Sequence, residues 1–475
     1  MEYSFAQQEE DHLMAKAVFA GYPTAFVYRD PIEDPAAKIG HLLWGTWIEH
    51  QEVEQGDWAK VRIRGWDVNR QQKIGWMKKS DFTDERILEV YFVDVAQGDG
   101  CLVITPDDKF HLIDAGEGWN MAAYIRWKFN LRHAANPITF ENVIISHPDT
   151  DHYKGFREIA TEPKINIKNV WHNGLVERKG GPLLGPKSGG FLTDIIQDES
   201  DLDVIINDPQ KVGQKYYPNL MKAFRAKAQS IKMLCADDQF VPGYDANSDV
   251  KFHVLGPVPT PDAAGKRRLK SFGGDGLTKN GHSIVLKLEY DQVKILLGGD
   301  LNIPAENHLL EHYTGIDPKT PSAAQQAALI NAARLVFEVD AAKACHHGSA
   351  DFSNLFLQSV NSAATVISSG DEEPHAHPRP DAVGAFGKFG RGNRPLIFST
   401  ELARSTRDLI LGSAGPSIAE HGRTVAVYGM INLRTDGKKI VIAQKLEQKA
   451  TRGEWDYYCL EPGANGVLEY ASKHD

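Results

Sequence analysis

Asn142-Val143-Ile144-Ile145-Ser146-His147-Pro148-Asp149-Thr150-Asp151-His152 is the stretch that decides how this chain of 475 residues is read. An apolar run of buried-strand type passes directly into two imidazoles and two carboxylates within six residues. Imidazole nitrogens and carboxylate oxygens are borderline and hard ligands, and this density on a strand-to-helix loop suits two divalent cations a few ångströms apart. The competing account of the same residues is an Asp-rich loop that caps the next helix through Asp149 or Asp151, with the histidines incidental.

Working outward, strands VYFVDV, GCLVIT and KFHLID follow one another from Glu89, and a helical stretch covers Asn120 to Arg132. Beyond the cluster come KFHVLGP, the paired run HSIVLKLEYDQVKILLGGD, a helical stretch from Ser322 to Arg334, ATVISSG, a helix near Asp381 to Phe389, and PLIFST. Paired strands followed by strand-helix units, twice over, predict an α/β fold of sheets covered by helices. The polar, Gly/Pro-punctuated segment 174–243 reads as an insert, a candidate lid or substrate wall. Short β-type runs rich in Trp and Val predict a small all-β barrel over 24–84, after an extension of residues 1–23. The main domain is expected over 88–450, with strands near Thr424 to Asn432 and Lys439 to Lys445, and 451–475 as a tail or closing strand.

Composition is that of a globular protein: 42% hydrophobic, 24% charged, net charge −10. A polyanion would therefore have to be held by a local basic patch. No apolar run is long enough for a membrane helix and the N-terminus is acidic, which predicts a cytoplasmic protein without membrane contact. The four cysteines are scattered without a CxxC pair, so neither a zinc knuckle nor a disulfide framework is indicated.

The cluster at 147–152 resembles the His-x-(His/Asp)-x-Asp-His motif of the metallo-β-lactamase fold, and the accompanying motifs come in the family's order. Phe110-His111-Leu112-Ile113-Asp114-Ala115-Gly116 is similar to its earlier strand ending in Asp-x-Gly, and Leu297-Gly298-Gly299-Asp300, His346-His347-Gly348-Ser349 and His377-Pro378 to its later signatures. The opening Asp94-Val95-Ala96-Gln97-Gly98-Asp99-Gly100 and the Ser283-Ile284-Val285-Leu286 run resemble the soluble domain of the competence protein ComEC and its free-standing relatives. Gly56-Asp57-Trp58 and Gly75-Trp76 resemble the spacing of bacterial SH3-like domains. The resemblance implies an αββα sandwich behind an SH3-like barrel that recruits a protein partner or packs as a small core.

It also implies two divalent ions, zinc or manganese. His147 and Asp149 would hold one, Asp151 and His152 the other, with Asp300 as bridge and a late histidine, His346, His347 or His377, completing the set. Asp149, Asp151, His152 and His377 would stand at the reaction. Asp149 replaces the second histidine of the commoner motif and hardens the site toward manganese. His282 stands where the family commonly has Asn, either as an extra ligand or as a substitute for a substrate-orienting residue. Asp114 and Ser283 are placed behind the ligands, and Asp94 and Asp99 in a turn near the site. Lys266, Arg267, Arg268 and Lys270, with Lys388, Arg391, Arg394, Arg404 and Arg407 later, are candidate phosphate contacts or solvated surface. The implied activity is metal-assisted hydrolysis of a phosphodiester in DNA or RNA, with a small phosphodiester such as a cyclic nucleotide, or another ester, as the alternative. A binding protein recruited through the small barrel is the rival from another class.

Overall fold

In a computed structural model, which describes residues 16–66, 72–370, 375–400, 418–450 and 453–471, strand alternation sets the layering. Along Leu88–Phe92, Leu88, Val90 and Phe92 enter one apolar cluster while Tyr91 enters another. Along Gly100–Ile104, Cys101 and Val103 separate from Leu102 and Ile104 in the same way. A sheet apolar on both faces has to be covered on both.

Among the described residues the larger sheet has ten strands, in the order 228–233, 165–172, 138–145, 110–115, 100–104, 88–92, 431–435, 440–450, 453–462 and 468–470. The smaller has six: 250–256, 285–290, 293–297, 341–343, 364–367 and 396–399. Phe92, Val103 and Ile113 of the larger meet Phe252, Leu286 and Ile295 of the smaller in one cluster between the sheets. Helices Asn120–Lys128, Phe156–Thr161, Tyr216–Lys227 and Ile418–Gly429 cover the outer face of the larger sheet. Ile303–Thr314, Ala323–Phe337, Asn354–Val360 and Pro380–Phe389 cover the smaller. The α/β fold is a helix–sheet–sheet–helix sandwich.

Each sheet contains a parallel block, 110–115 with 138–145, 165–172 and 228–233 in one, and 293–297 with 341–343, 364–367 and 396–399 in the other. Loops leaving the carboxyl ends of parallel strands gather on one rim, which is where open α/β sheets place their sites.

Among the described residues the N-terminal region is a separate antiparallel sheet of seven strands that includes Lys16–Ala20, upstream of the expected start at 24. Two other sequence expectations are corrected. The 174–243 segment is in large part a crossover of the main fold: helices Glu199–Ile206 and Tyr216–Lys227 lead to strand Ala228–Met233, which pairs in parallel with Ile165–His172. The stretch read as a strand near Thr424 to Asn432 is mostly the helix Ile418–Gly429, with a strand only from Ile431. Its Val425-Ala426-Val427 run is buried, and a short apolar run carries no period that separates a buried helix from a strand.

Candidate metal centre

The loop after strand Ile138–Ile145 delivers Ser146 to His152 to the rim. Asp149 does occupy the N-cap position of the short helix Thr150–Tyr153, but its side chain makes no capping bond. It is instead paired with the Lys279 ammonium, which also reaches Glu177 at 3.0 Å. With its amide nitrogen turned toward acceptors, Asn280 donates to the other Asp149 oxygen at 2.7 Å. The capping account is thereby set aside by the geometry of the side chain itself.

His152 is fully buried, and Asp114, at the end of strand Phe110–Ala115, accepts its Nδ1–H at 2.8 Å. The other Asp114 oxygen accepts the Ser146 backbone N–H at 2.8 Å, so one carboxylate fixes both the loop and the tautomer. His152 Nε2 then faces Asp300 Oδ2 at 3.1 Å and His347 Nε2 at 3.3 Å. His347 Nδ1 donates to the Ser368 carbonyl at 3.0 Å, which directs its Nε2 to Asp300 at 3.1 Å and Asp151 at 3.4 Å. One donor atom each from buried Asp99, His152, Asp300 and His347 lies within 4.8 Å of the others.

Beside this group stands His147, fully buried, its Nδ1 3.0 Å from Ser146 Oγ and 3.3 Å from Ser283 Oγ. Its Nε2 has no hydrogen-bond partner and lies 3.7 Å from Asp149 and 4.0 Å from Asp300. An Asp300 oxygen is orphaned in the same way. Ser283 Oγ accepts the Asp300 N–H at 3.0 Å, tying the two halves of the rim together.

The electrostatics follow from burial set against partners. Burial alone would protonate Asp300 and Asp151, but the neighbouring imidazoles His152 and His347 outweigh it and hold both carboxyls below the usual range. Burial would likewise neutralise His152 and His347, and the surrounding carboxylates reverse that, raising both well above an ordinary histidine. His147 goes the other way: burial and the charge of His152 keep it neutral, the form that coordinates. An orphaned neutral imidazole nitrogen, an orphaned carboxylate oxygen and converging Asp and His donors fit divalent cations.

Two more residues belong to the cluster: Asp99, expected only in a turn near the site, and Lys343, which the sequence did not single out. Asp99 is paired with Lys343 and lies 3.2 Å from His347 Nδ1. Lys343, buried at the end of strand Ala341–Lys343, also reaches Asp300 at 3.6 Å. Gly98 shows how the turn is brought to the site: at φ +105° a Cβ there would sit 1.7 Å from the Asp151 carbonyl, so the turn is pressed onto the metal loop. Asp94, by contrast, builds that turn, accepting the Ala96 N–H at 3.1 Å and giving its carbonyl to Asn120.

Other expectations are corrected. His282 is not among the converging donors, because its Nε2–H is committed to the Lys270 carbonyl at 2.7 Å and its ring lies against Phe272. Lys266, Arg267, Arg268 and Lys270 do not line the cleft. They lie in and beside the strand Arg267–Lys270, which pairs with 191–192 and 260–261; Arg267 is bonded to Asp237 at 2.9 Å and Arg268 stacks on Phe191. Arg391 is held by Asp340 and the Leu468 carbonyl, and Arg404 and Arg407 lie outside the described residues. His346 and His377 do reach the site: with His375, His347, Asp149, Asp151, Asp300, Gly98 and Gly370 they line a cleft of about 320 Å³.

The model of the family described as the Metallo-beta-lactamase superfamily matches residues 100–348, more than half of the chain. The chain belongs to the metallo-β-lactamase superfamily. Membership together with the buried Asp–His cluster makes this superfamily member a metal-dependent hydrolase. Among solved structures it is similar to Tm1679, a metal-dependent hydrolase of the beta-lactamase superfamily, at 14% identity over 66% of this chain and 95% of that one, TM-score 0.28. It is also similar to Zn²⁺-bound PqqB from Methylobacterium extorquens, at 8% identity over 64% and 85%, TM-score 0.31. A third is MEM-A1, a subclass B3 metallo-beta-lactamase from a soil metagenome library, at 12% identity over 54% and 76%, TM-score 0.25. No curated protein matches the chain. No helix among the described residues is long and apolar enough to cross a membrane.

Proposed function

We propose that this superfamily member is a phosphodiesterase dependent on divalent metal and acting on a compact phosphodiester. The observation that carries the reading is the make-up of the cleft, which is lined by the carboxylates of Asp149, Asp151 and Asp300 and the imidazoles of His346, His347, His375 and His377. Oxygen-rich donors suit zinc or manganese, and a ring of imidazoles suits an anionic ester. Asp151, His152, Asp300 and His347, with Asp99 beside them, would hold one ion, and His147 and Asp149 with Asp300 a second. Ions bound there supply Lewis acidity toward a phosphoryl oxygen and a lowered pKa for water.

The chain's own groups do the rest. Asp114 and the Ser368 carbonyl keep the Nε2 atoms of His152 and His347 turned inward. Lys343 balances the negative charge of Asp99 and Asp300. Asp149, held by Lys279 and Asn280 where it lines the cleft, would take a proton from the attacking water, and His377, which lines the same cleft, would return one to the leaving oxygen. The volume of about 320 Å³, with the basic strand 267–270 bound up elsewhere, favours a small diester over a polymer. A nucleic acid strand is the second reading, supported by the likeness of the motifs to the ComEC-like branch.

The test is hydrolysis of bis(p-nitrophenyl) phosphate, a cyclic dinucleotide, and labelled single- and double-stranded DNA and RNA, after chelation and after reloading with Zn²⁺ or Mn²⁺. Small diesters are expected to turn over only in the reloaded enzyme, and Asp149→Asn or His347→Ala to lower turnover by about 100-fold or more. Cleavage of a polymer faster than any small diester would replace this reading with a nuclease. Turnover of a lactone or thioester with no phosphodiester cleaved would overturn it.

A further inference from the structure

The ammonium of Lys279, near the end of the helix Asp275–Gly281, is bonded to Asp149 and held there by two further oxygens, Glu177 Oε1 at 3.0 Å and the Pro148 carbonyl at 3.5 Å. Its side chain is 12% exposed, as is that of Glu177, so the contact is enclosed and not an ion pair of the open surface. The next residue holds the other side of Asp149. The Asn280 amide nitrogen donates to Oδ2 at 2.7 Å and to the Gly276 carbonyl at 3.1 Å, which leaves its oxygen 3.4 Å from His346 Nε2. The helix that presents both residues is itself pinned, since Asn302 donates to the Leu277 carbonyl at 2.9 Å and Lys187 meets Asp275 at 3.1 Å.

The two halves of the metal centre therefore present different charge to a cation. Where Asp99, Asp151 and Asp300 converge with His152 and His347, three carboxylates stand against one ammonium, that of Lys343. Where His147 and Asp149 stand, both Asp149 oxygens already accept a hydrogen bond, and the oxygen 3.7 Å from His147 Nε2 is the one that Asn280 has taken. The Lys279 charge lies against that carboxylate, and Glu177, which shares it, is not among the residues that line the cleft. A fixed positive charge in an enclosed site repels a neighbouring cation with little screening, and a carboxylate engaged by an ammonium has less negative charge to offer a metal.

We propose that Lys279 grades the two metal positions, an assignment that rests on the two-ion reading of the cleft. Its charge keeps the ion at His147 and Asp149 the weaker, exchangeable one, while the ion at Asp99, Asp151, His152, Asp300 and His347 is resident. Metal then loads in order, and the free concentration of divalent metal sets how much of the protein carries the second ion. Lys279 is a positioning residue: it acts through Asp149 and touches no reacting atom.

The experiment is titration of the full-length protein, stripped of metal by chelation, with Mn²⁺, read by the electron paramagnetic resonance of the free ion and by metal content after dialysis. Wild type is expected to bind two ions per chain with affinities about tenfold or more apart. Lys279→Gln is expected to tighten the weaker site about tenfold and leave the tighter one unchanged, whereas Lys279→Arg, which keeps the charge, binds as wild type does. Tightening separates this role from a merely structural one, because a loosened loop would bind metal less well. If thermal melting shows that Lys279→Gln does not fold, the double variant Lys279→Gln, Glu177→Gln, which leaves no unpaired charge at position 177, is read in its place with the same direction expected. Two ions of equal affinity in wild type, or a weaker site that loss of the Lys279 charge does not tighten, overturns the inference and leaves the two-ion reading standing. So does equal tightening by Lys279→Arg. One ion per chain in every form overturns both.

Discussion

Asp114 takes φ +55°, a conformation aspartate tolerates better than most residues, and this turns its carboxylate to serve Ser146 and His152 at once. Replacing it with Asn keeps the size but offers an N–H where His152 needs an acceptor, so the imidazole loses its set tautomer. Asp114→Asn is expected to weaken metal binding by about 10- to 100-fold with little change in melting temperature, measured by competition with a chromophoric chelator. Unchanged affinity would show that Asp114 serves the loop alone. At this scale the densest motif was legible: His147, Asp149, Asp151 and His152 are all at the rim, because a short loop after a strand cannot scatter its side chains. His282 was not legible, since it is the immediate neighbour of Ser283, which does touch the site, and only the carbonyl it meets decides where its ring goes.

At the scale of elements, the helix Ile303–Thr314 carries Glu306 fully buried against the smaller sheet. Burial pushes its carboxyl well above the ordinary value of 4.5, the Ser353 N–H it accepts opposing this only in part. The folded chain thus keeps a proton that the unfolded chain gives up, and stability contributed at low pH is lost as pH rises from about 4.5 through the folded value. Glu306→Gln, which does not titrate, is expected to match the wild type near pH 4 and to melt higher than it at pH 8, by differential scanning calorimetry across that range. Parallel pH profiles would mean that the carboxyl is not held neutral. Elements with strong alternation or caps, such as Leu88–Phe92 and the helix behind Ser322, were readable in the sequence because their period and capping are local. The helix Ile418–Gly429 was not, because its apolar middle has no period and its packing against Asn120–Lys128 is a distant contact.

For the whole molecule, the N-terminal β region and the sandwich share an apolar cluster of Leu43, Trp44, Ile87, Val441, Ala443 and Cys459. Removing residues 1–84 would bare one side of that cluster, and the shortened chain is expected to melt about 5 °C or more lower, or to self-associate, by calorimetry and light scattering. A monomer with unchanged melting would show that the cluster contributes little to the sandwich. The sequence by itself determined the class of fold, the order of its strands and helices through most of the sandwich, and the loop that brings histidine and aspartate together, because period, turn and ligand density are written in neighbouring residues. Tertiary structure alone decided that Asp99 and Lys343 join the cluster, that Lys279 meets Asp149, and that the basic strand 267–270 turns from the cleft. Each of these depends on which residues far apart in the chain are pressed into one low-dielectric space, and no local pattern carries that information.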